Sequence, residues 1–120
     1  MKILVCGTRK KGYEQLVINE LNILFGESEE LSWNSIYGEG EIIEGCCPDS
    51  ADEYAENWVI KRGLKIHHFP SHSGNYLKRN IEMVDLADEV IAFWDGFSYG
   101  TCHTIATAVL KNKPVKIIKI

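Results

Sequence analysis

Five short apolar runs alternate with four segments of helical length, and this alternation restricts the fold more than any other feature of the chain. Residues 1–6 (MKILVC) are almost continuously apolar, as expected of a strand buried on both faces. Residues 41–44 (EIIE), 64–69 (LKIHHF), 89–94 (EVIAFW) and 114–120 (PVKIIKI) read as four further strands. Between the first two runs, residues 13–25 place Tyr13, Leu16, Val17, Leu21, Leu24 and Phe25 on one helical stripe, and Gly26 is a natural stop. Ser50-Ala51-Asp52-Glu53 has the spacing of a capping box, in which Ser50 and Glu53 satisfy each other's exposed amides. The helix it opens runs to Arg62, with Ala51, Tyr54, Ala55, Trp58 and Val59 inward and Gly63 at its end. Residues 75–86 form a third helix with Leu77, Ile81 and Val84 inward, and residues 101–111 a fourth. Residues 27–40 hold Trp33, Ile36 and Tyr37 among polar residues and read either as a loop with a short extended piece or as a helical turn.

Strands that alternate with helix-length crossovers predict a parallel sheet with helices on both faces. The expected fold is α/β: a single Rossmann-like three-layer domain with a mostly parallel five-stranded sheet. A chain of 120 residues supports one hydrophobic core but not two. There is no internal repeat, low-complexity tract or linker, so residues 1–120 read as one domain.

The bulk charge narrows the class of partner. A formal net charge of -4 argues against sequence-independent nucleic-acid binding, which needs a basic face. The apolar start is too short for a signal peptide, and no run approaches a membrane span. A cytoplasmic protein with no membrane partner is expected. Cys6, Cys46, Cys47 and Cys102 show no disulfide-scaffold pattern and read as free thiols.

In an open doubly wound sheet, ligands bind beyond the carboxyl ends of the strands, where the strand order reverses. With the first strand central, that crevice lies between the first and fourth strands. The loops facing it are residues 7–12 (GTRKKG) and 95–100 (DGFSYG), with the turn 45–49 (GCCPD) alongside. Glycines let the backbone approach an anion, and a helix N-terminus offers unpaired amides and a positive dipole end. Thr8, Ser98 and Thr101 add hydroxyl donors, and Arg9 and Arg79 add positive charge. This edge suits a phosphate that carries a sugar and a base.

Arg79-Asn80 with Met83, then residues 87–93 (ADEVIAF), Ser98-Tyr99-Gly100-Thr101, Ala108 and Lys113-Pro114-Val115 together resemble the SLOG superfamily. That group includes the Lonely-guy phosphoribohydrolases and the DprA/Smf proteins, and the likeness is nearest to its short stand-alone YspA-type members. Residues 5–9 (VCGTR) and 45–52 (GCCPDSAD) have counterparts there too, so the resemblance covers all but about residues 27–40. It implies a Rossmann-like fold that binds nucleotides or nucleotide-derived ligands. The resulting ligand set is Gly7, Thr8, Arg9, Gly45, Cys46, Arg79, Asn80, Gly96, Ser98, Tyr99, Gly100 and Thr101. In the phosphoribohydrolase branch a PGGxGTxxE motif supplies a phosphate loop and a catalytic glutamate, which an upstream arginine assists. Here Gly100-Thr101 matches the GT and Arg79 the arginine, but the glutamate position falls on Thr104. A threonine cannot act as a carboxylate base or stabilise an oxocarbenium-like centre. Nucleoside deoxyribosyltransferases share a similar AD-V-DG stretch.

Three functions follow as expectations. The leading one is a sensor or sequestering module that binds a nucleotide-type ligand. The second is an N-glycosidic enzyme acting on a nucleotide or nucleoside, with Asp95 or another carboxylate in place of the missing glutamate. The third is an interaction protein with a vestigial pocket. Asp95 leaves the fourth strand into the crevice, where it serves chemistry, a ribose hydroxyl or simply a turn. Asp52 and Asp88 read as structural. Cys46-Cys47 with Cys102-His103 has poor zinc spacing, so no metal is expected, and no cofactor is implied. Cys46, if at a helix N-terminus, reads as a reactive thiolate or an inert small side chain. His67 and His68 point to opposite faces of their strand. His72 lies on a loop near the crevice. Trp94 and Tyr99 stack on a base, or else Trp94 packs in the core and Tyr99 lies on the surface. A homo-oligomer is expected from the family's habit and the small size of the domain.

Overall fold

The computed structural model describes residues 1–26, 40–71 and 74–120. The expectations for residues 27–39 and for His72 fall outside these. The elements are β1 (Lys2–Gly7), α1 (Glu14–Phe25), β2 (Glu41–Glu44), α2 (Ala51–Arg62), β3 (Lys65–His68), α3 (Tyr76–Leu86), β4 (Glu89–Trp94), α4 (Tyr99–Leu110) and β5 (Val115–Lys119). All five strands pair in parallel, in the order β3-β2-β1-β4-β5. The architecture is the Rossmann-like α/β domain that the alternation predicts.

Burial on both faces explains why the central strands are continuously apolar. Ile3, Val5, Ile42, Ile91 and Phe93 face α1 and α2, where Val17, Leu21, Tyr54, Ala55, Trp58 and Val59 meet them. Leu4, Cys6, Ile43, Val90 and Ala92 face α3 and α4, against Met83, Val84, Ile105 and Ala108. The predicted stripe of α1 holds: Val17, Leu21 and Phe25 are buried, and Leu16 and Leu24 pack against the same cluster. Each fully buried Val, Leu or Ile side chain contributes roughly 1.5–3 kcal/mol over an exposed one.

Two local expectations are corrected. The reciprocal capping box at α2 does not form. Ser50 Oγ instead accepts from Asp52 N at 3.1 Å, and Glu53 Oε2 accepts from Asp49 N at 2.7 Å. Both bonds are displaced by a residue because Asp49 turns into the left-handed region, with a φ of 51°. Along α3, Leu77 and Ile81 are exposed, while Asn80, Met83 and Val84 are buried. The helix is rotated so that a polar residue faces the sheet edge, where a cavity rather than core lies behind it.

Other junctions behave as read. Asp88 accepts from Lys2 N at 2.8 Å and pins the start of β1. His67 and His68 meet carboxylates on opposite faces of β2: Nε2 of His67 lies 2.9 Å from Glu41 Oε1, and Nδ1 of His68 lies 2.5 Å from Glu44 Oε1. No described helix is long and apolar enough to cross a membrane.

Candidate functional site

From β1 the sheet builds outward through β2 and β3 on one side and through β4 and β5 on the other. The strand order therefore reverses between β1 and β4, and the loops that leave them diverge. A cavity of about 240 Å³ opens at this point, on the α3–α4 side of the sheet. Cys6 and Met83 line its apolar part. Tyr76, Arg79 and Asn80 come from α3, and Ser98, Gly100, Thr101 and Thr104 from the start of α4. Gly7, Arg9, Cys47, Asp52 and Ser71 complete the wall.

Gly7 sits where three pieces of chain meet. A Cβ there would lie 2.8 Å from the Tyr13 hydroxyl, 2.9 Å from Ala51 Cβ and 3.0 Å from Phe93 O. The loop after it is tightly fastened. Thr8 N donates to Phe93 O and Lys10 N to Asp49 O, both at 2.8 Å. The Tyr13 hydroxyl donates to Thr8 O at 2.6 Å and accepts from Ala51 N at 2.7 Å. The amides of Thr8 and Lys10 are thus engaged within the protein and are not available to a phosphate.

The second loop differs. Asp95 Oδ1 accepts from Phe97 N at 2.8 Å and Ser98 N at 2.9 Å, and it receives the Thr8 hydroxyl at 3.2 Å. These donors, the Phe97 amide foremost, hold the Asp95 carboxyl below the usual carboxylate range. Asp95 forms the side-chain turn that folds the loop. Trp94 packs beside the core and donates Nε1–H to Ser98 O at 3.0 Å, which fixes the other end of the loop. The helix that follows starts with no acidic residue in its first turn and no side-chain cap. By contrast, α2 has both Ser50 as cap and Asp52 and Glu53 in its first turn. The Asp95 carboxylate takes the Phe97 and Ser98 amides just ahead of α4, while the first turn of the helix itself has no side-chain cap and lies against the cavity, with the Ser98 and Thr101 hydroxyls 3.3 Å apart beside it.

Arg79 braces the opposite wall. Its Nη1 donates to Gly45 O at 2.7 Å and Phe69 O at 2.9 Å, and its Nε to Asn80 Oδ1 at 3.0 Å. One guanidinium so ties α3 to the β2–α2 turn and to the end of β3. Asn80 is buried and reaches Gly100 O at 3.5 Å and His103 Nδ1 at 3.3 Å, which joins α3 to α4. Asp52 Oδ2 accepts from Gly45 N at 3.1 Å and Cys47 N at 3.2 Å, so it orients the turn as its reading from sequence suggests. Burial pushes its carboxyl up to about 7, against the lowering effect of the Cys47 amide. Asp52 is thus a cavity-wall carboxyl that can hold or release a proton near neutral pH.

Of the residues expected to bind ligand, Gly7, Arg9, Arg79, Asn80, Ser98, Gly100 and Thr101 line the cavity. Thr8, Gly45, Gly96, Tyr99 and the candidate Asp95 are not among its lining residues, and Tyr99 lies exposed on the surface. Cys46 also stands apart: its sulfur meets Glu44 Oε1 at 3.4 Å, while Cys47 takes the place on the wall. Partial desolvation and the Glu44 carboxylate push the Cys46 thiol up to about 12, which favours the thiol over a reactive thiolate. Asp52, Ser71, Tyr76 and Met83 were missed as wall residues, although Asp52 and Met83 belong to the quoted motifs. Thr104, at the position of the family's glutamate, is buried in the wall and donates to Gly100 O at 3.1 Å. Cys46, Cys47, Cys102 and His103 do not converge among the described residues; Glu44, Cys46 and His68 do.

No family model matches the chain, and no curated protein matches it. Among solved structures it is similar to TM1055, a structural-genomics target determined by X-ray crystallography. The TM-score is 0.65 at 19% identity, over 95% of this chain and 71% of that one. At this identity the likeness is one of fold, a distant Rossmann-like relation.

Proposed function

We propose that the crevice between β1 and β4 binds a nucleotide or nucleotide-derived ligand, and that the protein acts as a sensor or sequestering module of SLOG type. The observation that carries this reading is the first turn of α4, with no side-chain cap and no acidic residue of its own, opening into a cavity that Arg79 and Arg9 also line. A phosphate placed there would accept from the first-turn amides of α4 and from the Ser98 and Thr101 hydroxyls. Arg79 and Arg9 would balance its charge. The volume of about 240 Å³ is just below the roughly 300–1,000 Å³ typical of pockets that enclose a whole drug-sized ligand. A cavity of this size would take the phosphate and sugar, with the base toward the mouth beside Tyr76.

A second reading rests on Asp52. An N-glycosidic enzyme needs an acid–base group near the scissile bond, and Thr104 cannot serve. The cavity-wall carboxyl with a pKa of about 7 is Asp52, not Asp95. If the protein is catalytic, Asp52 is the residue to replace.

Ligand-observed NMR separates the two. The panel is AMP, NAD, ADP-ribose, cyclic nucleotides and deoxynucleosides, each followed for hours with the protein. Saturation transfer to one class without new peaks supports the binding module. Release of free base makes it a glycosidic enzyme. With neither signal the binding proposal fails, and the interaction-protein reading takes its place.

The homo-oligomer expected from the sequence belongs to the same proposal. Leu77 and Ile81, one turn apart and exposed on α3, give a second copy an apolar stripe to cover. A monomer in sedimentation velocity at working concentration contradicts it.

A further inference from the structure

We propose that Glu44, Cys46 and His68 form a binding site for a divalent cation of borderline softness, with zinc as the type. The site is distinct from the nucleotide crevice and does not depend on it.

Three elements of the fold bring the trio together. Glu44 ends β2 and His68 ends β3, and the parallel register sets these two residues side by side. Cys46 lies two residues beyond Glu44, in a turn that holds it at a φ of 63°. The left-handed region is uncommon for any residue but glycine, and such conformations persist where the surroundings fix them, often at functional sites. Here the conformation directs the Cys46 amide to Glu44 Oε2 at 2.5 Å and its sulfur to Glu44 Oε1. The same turn sends neighbouring Cys47 to the cavity wall. The two adjacent cysteines therefore do not compete for one ion.

The distances suit a shared cation. Cys46 Sγ lies 3.4 Å from Glu44 Oε1 and 3.7 Å from His68 Nδ1. Zinc bonds of roughly 2.0–2.3 Å in tetrahedral geometry put ligand atoms about 3.3–3.6 Å apart. Two of the three separations are already near that value. The third, 2.5 Å between His68 Nδ1 and Glu44 Oε1, must open by about 1 Å for the ion to enter between them. His68 is exposed and can swing outward, whereas Glu44 is fully buried and fixed. Glu56 and Asp52 act through space on the same sulfur and add to the negative field that draws a cation.

The donor set is one thiolate, one imidazole and one carboxylate. Sulfur and nitrogen ligands select zinc-like ions over magnesium or calcium, which prefer oxygen. Binding releases the thiol proton to solvent, and the ion replaces the hydrogen bonds that now join the three side chains. Three protein ligands leave the fourth position to water or to an incoming donor, as in zinc sites with an open position.

Cobalt(II) titration of the reduced protein tests the site. Thiolate-to-cobalt charge transfer and tetrahedral d–d bands should appear, saturate at one equivalent and disappear when zinc is added. Cys46→Ser should abolish the charge-transfer band, and His68→Ala should weaken affinity by about tenfold or more. Cys47→Ser and Cys102→Ser should leave the spectrum unchanged. Both Cys46 and His68 are exposed, so these variants should keep the fold, and far-UV circular dichroism verifies it. Absent bands, bands that survive Cys46→Ser, or bands lost with Cys47→Ser would each overturn the proposal.

Discussion

At Gly45 there is no room for a methyl group. A Cβ would lie 2.5 Å from Arg79 Nη1 and 2.9 Å from its Cζ. That nitrogen is itself tied to Gly45 O and Phe69 O, so it cannot simply swing aside. Gly45→Ala is expected to destabilise by roughly 1–3 kcal/mol, the usual range for overpacking, read as a lower urea midpoint at unchanged slope. Asp52 leads to a pH effect. Its folded pKa of about 7 stands above the ordinary aspartate value of 3.8. Its relative contribution is therefore fully present below about 3.8 and is lost as pH rises through 7. At about 1.4 kcal/mol per unit, the loss is of the order of 4 kcal/mol at most. Asp52→Asn should remove this fall in stability between acid and neutral pH. Urea unfolding of both proteins at pH 5 and pH 8 measures it, and equal pH slopes would show that the Asp52 carboxyl is not perturbed.

Among the elements, α2 depends most visibly on one cap. Ser50 Oγ accepts from Asp52 N and donates to Cys47 O at 2.8 Å, so it serves both the helix and the turn before it. Ser50→Ala should cost about 1 kcal/mol or somewhat more, seen as a lower thermal midpoint. The strands and helices were legible in the sequence because two-sided burial makes the central strands uniformly apolar, and glycines punctuate the rest. The rotation of α3 was not. Apolar periodicity assigns Leu77 and Ile81 inward, but the cavity behind the helix calls for Asn80 and Arg79 there. The glycine loops of the site could be read from sequence, as could Arg79. The roles of their amides could not, since those depend on carbonyls as distant as Phe93 O and Asp49 O. Nor could the meeting of Glu44 with His68, which is fixed by the register of β2 and β3.

For the whole molecule, the two apolar clusters lie on opposite faces of one sheet, and the proposed ligand site opens at the sheet edge over Cys6 and Met83 of the second cluster. The cavity wall draws on α3, α4, β1 and the turn before α2, so a ligand there bridges parts that separate on unfolding. A ligand bound only by the folded state at 100 times its dissociation constant adds about 2.7 kcal/mol. For a chain of 120 residues this raises the melting temperature by on the order of 10 °C. The nucleotide class that shows saturation transfer should produce such a rise in a thermal scan. Arg79→Ala is less stable to begin with, because the guanidinium braces three segments, so the comparison must be made on the ligand-induced increment. That increment should vanish in Arg79→Ala if the guanidinium meets the phosphate. An undiminished increment would place the ligand elsewhere and leave Arg79 as a brace alone.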